Sequence, residues 1–231
     1  MYIYVGTSGW FYGWNKDKNL EWYVKNSKLN AIELNASFYR FPFPNQIKSW
    51  AKKGKELRWS IKVTRLVTHV YKFNKEALKI WHSFYELFQP IDSFIDFYLF
   101  QLPPSFVDIK KVLNFAKQTK LNEKFALELR NRKLIESLDK KDIKKFSEEI
   151  TLVSLDSPDF QNKIFPGKII YLRMHGRDSW YSHNYSENEL KEVVNKIKEI
   201  EPEKVYIFFN NNHNMLKNAR TMLKLLNQLI F

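Results

Sequence analysis

A chain of 231 residues suits one domain and is close to the span of eight strand–helix units, roughly 250 residues. With 44% hydrophobic and 16% aromatic residues and only 6 Gly and 8 Pro, the composition excludes a linker or a disordered tract, and the lack of any Cys excludes disulfides, thiol nucleophiles and thiolate metal sites. The formal charge of +13 attracts nucleic acid, phosphates or anionic surfaces over a Debye length, but many of the lysines lie in helix-like stretches such as Asp108 to Lys120, where they read as a solvated face.

The chain opens on Met1-Tyr2-Ile3-Tyr4-Val5-Gly6, without a basic region followed by a long apolar run, and nowhere do about 18 apolar residues follow one another. A soluble cytoplasmic protein is expected. Runs rich in β-branched and aromatic residues then predict eight strands: Tyr2 to Gly6, Ala31 to Asn35, Trp59 to Thr64, Phe94 to Gln101, Phe125 to Arg130, Thr151 to Asp156, Ile169 to His175 and Val205 to Asn210. Helical spacing of apolar residues fills seven of the intervals: Leu20 to Lys28, Gln46 to Gly54, Lys75 to Phe88, Ile109 to Lys120, Lys140 to Glu148, Glu187 to Ile200 and Asn212 to Leu229. Between the sixth and seventh strands, Ser157-Pro158 and Pro166-Gly167 punctuate a stretch where a helix is weak or missing. The alternation predicts a parallel, TIM-like (β/α)8 barrel in a single domain over residues 1–231, with a doubly wound open sheet as the structural alternative.

Strands of such a barrel are covered outside by helices and packed inside by side chains, so they should be almost continuously apolar. Here several end in polar residues spaced two apart, which a period of two puts on one face: Glu33 and Asn35, Lys62 and Thr64, Glu128 and Arg130, Arg173 and His175. Their neighbours Ile32 and Leu34, Leu127 and Leu129, Leu172 and Met174 are apolar, so the polar set should point inward. Burying an unpaired charge costs several kcal/mol, so these residues need mutual pairing, a ligand, or both. A salt-bridge network closing the barrel mouth competes with a functional pocket; Gln101, Asp156 and Asn210, on three further strands, favour the pocket. After the first strand, Gly6-Thr7-Ser8-Gly9 offers backbone amides and the Thr7 and Ser8 hydroxyls to an anion, and Trp10, Tyr12, Phe38, Tyr39, Trp180 and Tyr181 offer ring faces to a sugar or base.

These residues fall in motifs that resemble the YecE-like family. The motifs are Gly6-Thr7-Ser8-Gly9-Trp10, Glu33-Leu34-Asn35-Ala36-Ser37-Phe38-Tyr39-Arg40, Lys62 through Thr68-His69, Gln101-Leu102-Pro103-Pro104, Glu128-Leu129-Arg130, Arg173-Met174-His175-Gly176 and Phe209-Asn210-Asn211. The resemblance covers essentially the whole chain. It implies a barrel with a pocket at the strand C-termini and supplies no substrate, since that family has no established activity. The chain departs from the family pattern at Asn131, where the family tends to have His, and in Asn212-His213-Asn214-Met215, which lacks the usual Gly.

Three functions compete. The first is an enzyme, a hydrolase or isomerase, working by acid–base chemistry on a small anionic, phosphorylated or sugar-like substrate. Glu33, Glu128, Asp156 and His175 are its candidate catalytic residues. Thr7, Ser8, Trp10, Asn35, Tyr39, Lys62, His69, Gln101, Arg130, Arg173 and Asn210 are its candidate substrate-binding residues, with Lys62, Arg130 and Arg173 on a phosphate or carboxylate. The second is a nucleic-acid binding or processing barrel, an endonuclease-like reading prompted by the basic balance and the aromatic residues. The third is a non-catalytic metabolite-binding barrel. The five histidines show no ligand spacing, so no tightly bound metal is expected, nor any other cofactor.

Overall fold

The computed structural model describes residues 1–229. Its strands are β1 (Tyr2–Ser8), β2 (Ala31–Leu34), β3 (Arg58–Lys62), β4 (Ile95–Gln101), β5 (Phe125–Glu128), β6 (Thr151–Asp156), β7 (Ile169–Met174) and β8 (Lys204–Phe209), all parallel where their pairing is defined and closed into a barrel in the order β1 to β8. The helices are α1 (Leu20–Asn26), α2 (Pro44–Lys53), α3 (Lys75–Phe88), α4 (Ile109–Thr119), α5 (Arg132–Ser137), α6 (Lys140–Glu149), α7 (Glu187–Ile200) and α8 (Met215–Asn227). By packing, the chain divides into two compact units. The first comprises Met1–Glu33, Glu56–Arg58 and the chain from Val153; the second comprises Leu34–Lys55 and Trp59–Leu152.

In the first unit, β1 pairs with β2 and β8, and β7 pairs with β6 and β8. Buried Val5, Tyr23, Ile170, Leu172, Val205 and Ile207 pack there, with Tyr4 and Tyr206 stacked at 4.7 Å. Gly6 is required by the close approach of β1 to β2, because a Cβ at this position would lie 2.3 Å from the Ala31 carbonyl oxygen. As expected, no helix separates β6 from β7; an antiparallel bridge between Leu155 and Lys163 holds that connection instead.

In the second unit, β3, β4 and β5 pair in sequence, and aromatic residues build the core. Phe100 stacks on Phe125 at 3.9 Å, while Trp81 meets Tyr98 edge to face at 5.0 Å. Helix starts are fixed by side-chain caps: Asn74 accepts from the Ala77 amide at 3.0 Å and Asp108 from the Lys111 amide at 3.0 Å. Asn131 accepts from the Leu134 amide at 2.9 Å and donates to the Pro104 carbonyl at 2.7 Å, which makes it the cap of α5.

Several boundaries differ from the sequence reading. β1 runs two residues further, so Thr7 and Ser8 are strand residues and not loop residues. Asn35, Thr64, Arg130, His175 and Asn210 lie just past the ends of their strands. The helix expected from Asn212 starts at Met215, because Asn212–Asn214 form a 3-10 turn first. The helix α5 and a π-helical turn at Leu66–Val70 were not anticipated; each is far shorter than the stretch over which an apolar repeat can be recognised.

Candidate functional site

Of the residues spaced two apart at the strand ends, Glu33, Glu128, Arg173 and His175 are fully buried and Lys62 and Thr64 nearly so, while Asn35 and Arg130 are only partly buried; Asp156 is fully buried as well. In the first unit Glu33 at the end of β2 takes four donors. Ser8 Oγ and Arg173 Nη2 donate to Oε1 at 2.6 and 2.7 Å; Tyr171 Oη and Arg173 Nε donate to Oε2 at 2.6 and 3.0 Å. The arginine fork matches the carboxylate bidentately, the geometry that makes such pairs strong. Tyr171 escaped the sequence reading, although it stands two residues before Arg173 on the same face and the period could have reached it.

Asp156 closes β6. Its carboxylate accepts from the Asn162 amide at 2.5 Å and from Arg177 Nε at 3.2 Å on both oxygens, which ties the β6–β7 connection to the segment after β7. Arg177 also meets Glu192 at 2.7 Å, and no spacing rule pointed to it. The His175 ring lies against Trp180 at 5.2 Å and Tyr181 at 5.5 Å, and Asn210 Nδ2 donates to its Nδ1 at 3.4 Å. The Thr7 hydroxyl donates to the Gly9 carbonyl at 2.7 Å, so both hydroxyls expected to serve an anion donate within the protein. Trp10 gives its carbonyl to the Asn15 amide group at 2.8 Å, and Tyr12 stacks on Trp14 at 5.7 Å.

In the second unit Glu128 at the end of β5 accepts from Gln101 Nε2 at 3.0 Å and pairs with Arg130 Nε. Arg130 keeps 13% of its side chain exposed, whereas Glu128 keeps none. Lys62 lies with its ammonium 4.2 Å from the centroid of the Phe38 ring. His69 touches the same ring at 5.1 Å and has Nδ1 2.8 Å from Thr68 Oγ1. Partial burial, and then the Lys62 and Arg65 cations, hold the His69 imidazole below its ordinary pKa. Tyr39 is 74% exposed, and the Asn35 Oδ1 atom is buried without a hydrogen-bond partner. Among the described residues no group of three or more His, Asp and Glu is placed to hold a metal ion, and no helix is long and apolar enough to cross a membrane.

The fold is shared with solved structures. A DUF72 family protein of Enterococcus faecalis superposes with a TM-score of 0.81 at 20% identity, covering 97% of this chain and 95% of the other. A DUF72 family protein of Thermotoga maritima gives 0.75 at 22% identity, covering 100% and 99%. The 3-keto-D-glucoside 4-epimerase YcjR of Escherichia coli gives 0.56 at 10% identity, covering 99% of each chain. At these identities the likeness is one of fold. No curated protein matches the sequence. The family model described as protein of unknown function DUF72 matches residues 2–230. The chain belongs to the DUF72 family, which is that of the YecE-like proteins.

Proposed function

We propose that this chain is an enzyme that moves a proton on a small anionic, phosphorylated or sugar-like molecule, held at the C-terminal ends of its strands. The observation that carries this reading is the burial of ionic side chains at the ends of β2, β5, β6 and β7. Desolvating such pairs costs about as much as their attraction returns, and well-packed apolar residues would serve stability as well or better. Barrel enzymes place their chemistry at this end of the strands. A sugar epimerase on the same fold supports a small-molecule substrate.

Geometry divides the roles. Glu33 and Asp156 have both carboxylate oxygens occupied by donors of the protein itself, which suits positioning and charge neutralisation. Glu128, beside Gln101 and the partly exposed Arg130 in the second unit, is the group to which we assign proton transfer. The test is a panel of sugar phosphates and free sugars in deuterated water, with deuterium incorporation followed by NMR. One member should exchange or convert, and Glu128→Gln, with its circular dichroism unchanged, should lower the rate at least about 100-fold. Full turnover in Glu128→Gln would remove that residue from the reaction.

A further inference from the structure

Between β3 and α3 the chain makes a π-helical turn at Leu66–Val70, closed by the Tyr71 amide donating to the Leu66 carbonyl at 2.9 Å. Such turns are rare and are frequently found at functional sites. This one presents His69, whose ring meets Phe38 at 82° while buried Thr68 holds its Nδ1. With the Thr68 hydroxyl as donor, the proton of the neutral ring sits on Nε2 and is available to an acceptor. The Phe38 ring also carries the Lys62 ammonium and, edge to face at 5.1 Å, the exposed Tyr39 ring.

One buried ring therefore gathers an ammonium, an imidazole and an exposed phenol within a single compact unit, with Arg65 exposed on the residue before the turn. The imidazole reports the local field: after burial, the two charges that depress its pKa are cations. Two cations beside an imidazole favour an anion as a neighbour.

We propose that Lys62, Arg65 and His69 form a subsite for the phosphate group of a sugar phosphate, with the Tyr39 ring as the flat surface against which the sugar lies. This rests on the reading of the chain as a protein of small anionic molecules and narrows it to phosphate monoesters. A phosphate monoester carries about −1.5 to −2 charges at pH 7, enough to oppose both cations. Lysine meets phosphate as a point charge, and the His69 Nε2–H supplies a directed donor. The Tyr39 ring offers an apolar face to the sugar carbons, which inorganic phosphate lacks.

The test uses the full chain labelled with 13C on histidine, the His69 resonance being assigned with His69→Gln. Without ligand, His69 titrates below its ordinary range; saturating inorganic phosphate should raise its pKa by about one unit, because an anion beside an imidazole favours the charged form. Ribose 5-phosphate should do the same at lower concentration, and ribose alone should do nothing. Arg65→Ser, an exposed substitution that spares the fold, should weaken ribose 5-phosphate binding roughly fivefold, and Lys62→Met more. Tyr39→Ala should remove the advantage of ribose 5-phosphate over phosphate. The proposal is overturned if phosphate and ribose 5-phosphate leave the His69 titration unmoved, or if both bind Arg65→Ser and Lys62→Met as tightly as wild type. A His69 response without turnover of any sugar phosphate retains the subsite and removes the enzyme; turnover without a His69 response does the reverse.

Discussion

Glu33 shows how one buried carboxylate at the end of a strand can be held entirely by donors of the protein itself. Four donors from β1 and β7 converge on it, and two of them come from one guanidinium. Glu33→Ala should therefore cost about 3 to 5 kcal/mol, the range for removing one partner from a buried ion pair, and the midpoint of urea unfolding should fall accordingly. A loss under about 1 kcal/mol would mean that Arg173 finds equivalent partners and that the bidentate geometry contributes little. Residue by residue, buried polar groups were legible where they obey the strand period: the burial of Glu33, Lys62, Glu128 and Arg173 was foreseen because charge in an apolar strand is anomalous. That of Arg177 was not, because irregular backbone has no period from which to depart. The anion loop expected at Gly6-Thr7-Ser8-Gly9 dissolves for a related reason. The strand runs on through Ser8, and its hydroxyl is drawn to a carboxylate that the sequence places 25 residues away.

At the scale of the elements, caps explain which boundaries the sequence could place. The helix α7 begins where expected because Ser186 and Glu189 form a capping box: the Glu189 amide donates to Ser186 Oγ at 3.3 Å, and the Ser186 amide donates to Glu189 Oε2 at 2.7 Å. Burial opposes the charge on Glu189, but the Ser186 amide and hydroxyl, with His183 and Arg177, hold its carboxyl below the usual range. Folding thus depresses this acid, so its contribution to stability is present above the ordinary glutamate range and is lost as the pH falls from that range through the lower folded value. Ser186→Ala should cost about 1 kcal/mol near neutrality, read as a lower melting temperature, and the difference from wild type should shrink below about pH 4. A gap that stays constant down to pH 3 would assign the cap to the Ser186 hydroxyl alone, with no part for the Glu189 charge. The asparagine at 131 has the same kind of explanation, since an amide side chain can cap α5 and hold the Pro104 carbonyl at once.

The whole chain carries +13, and no single element explains it. Lys140, Lys141, Lys144 and Lys145 on α6 are all exposed, and such side chains bind polyanions by releasing counterions and not by reading structure. Binding of duplex DNA should therefore be weak and independent of sequence, and it should fall steeply with salt. Changing those four lysines to glutamine should flatten the log–log salt dependence by up to about 3.6, since each phosphate neutralised by a lysine adds about 0.9 to the slope. Exposed substitutions of this kind alter stability by only about 0.5 kcal/mol each, so the folded protein remains available for comparison. Arg65→Ser, by contrast, should leave that slope within about one unit of wild type while weakening ribose 5-phosphate binding. If DNA affinity instead follows Arg65 and Lys62 and ignores the α6 lysines, the subsite at the π turn is reading a nucleic-acid backbone, and the nucleic-acid function raised by the composition replaces the sugar phosphate.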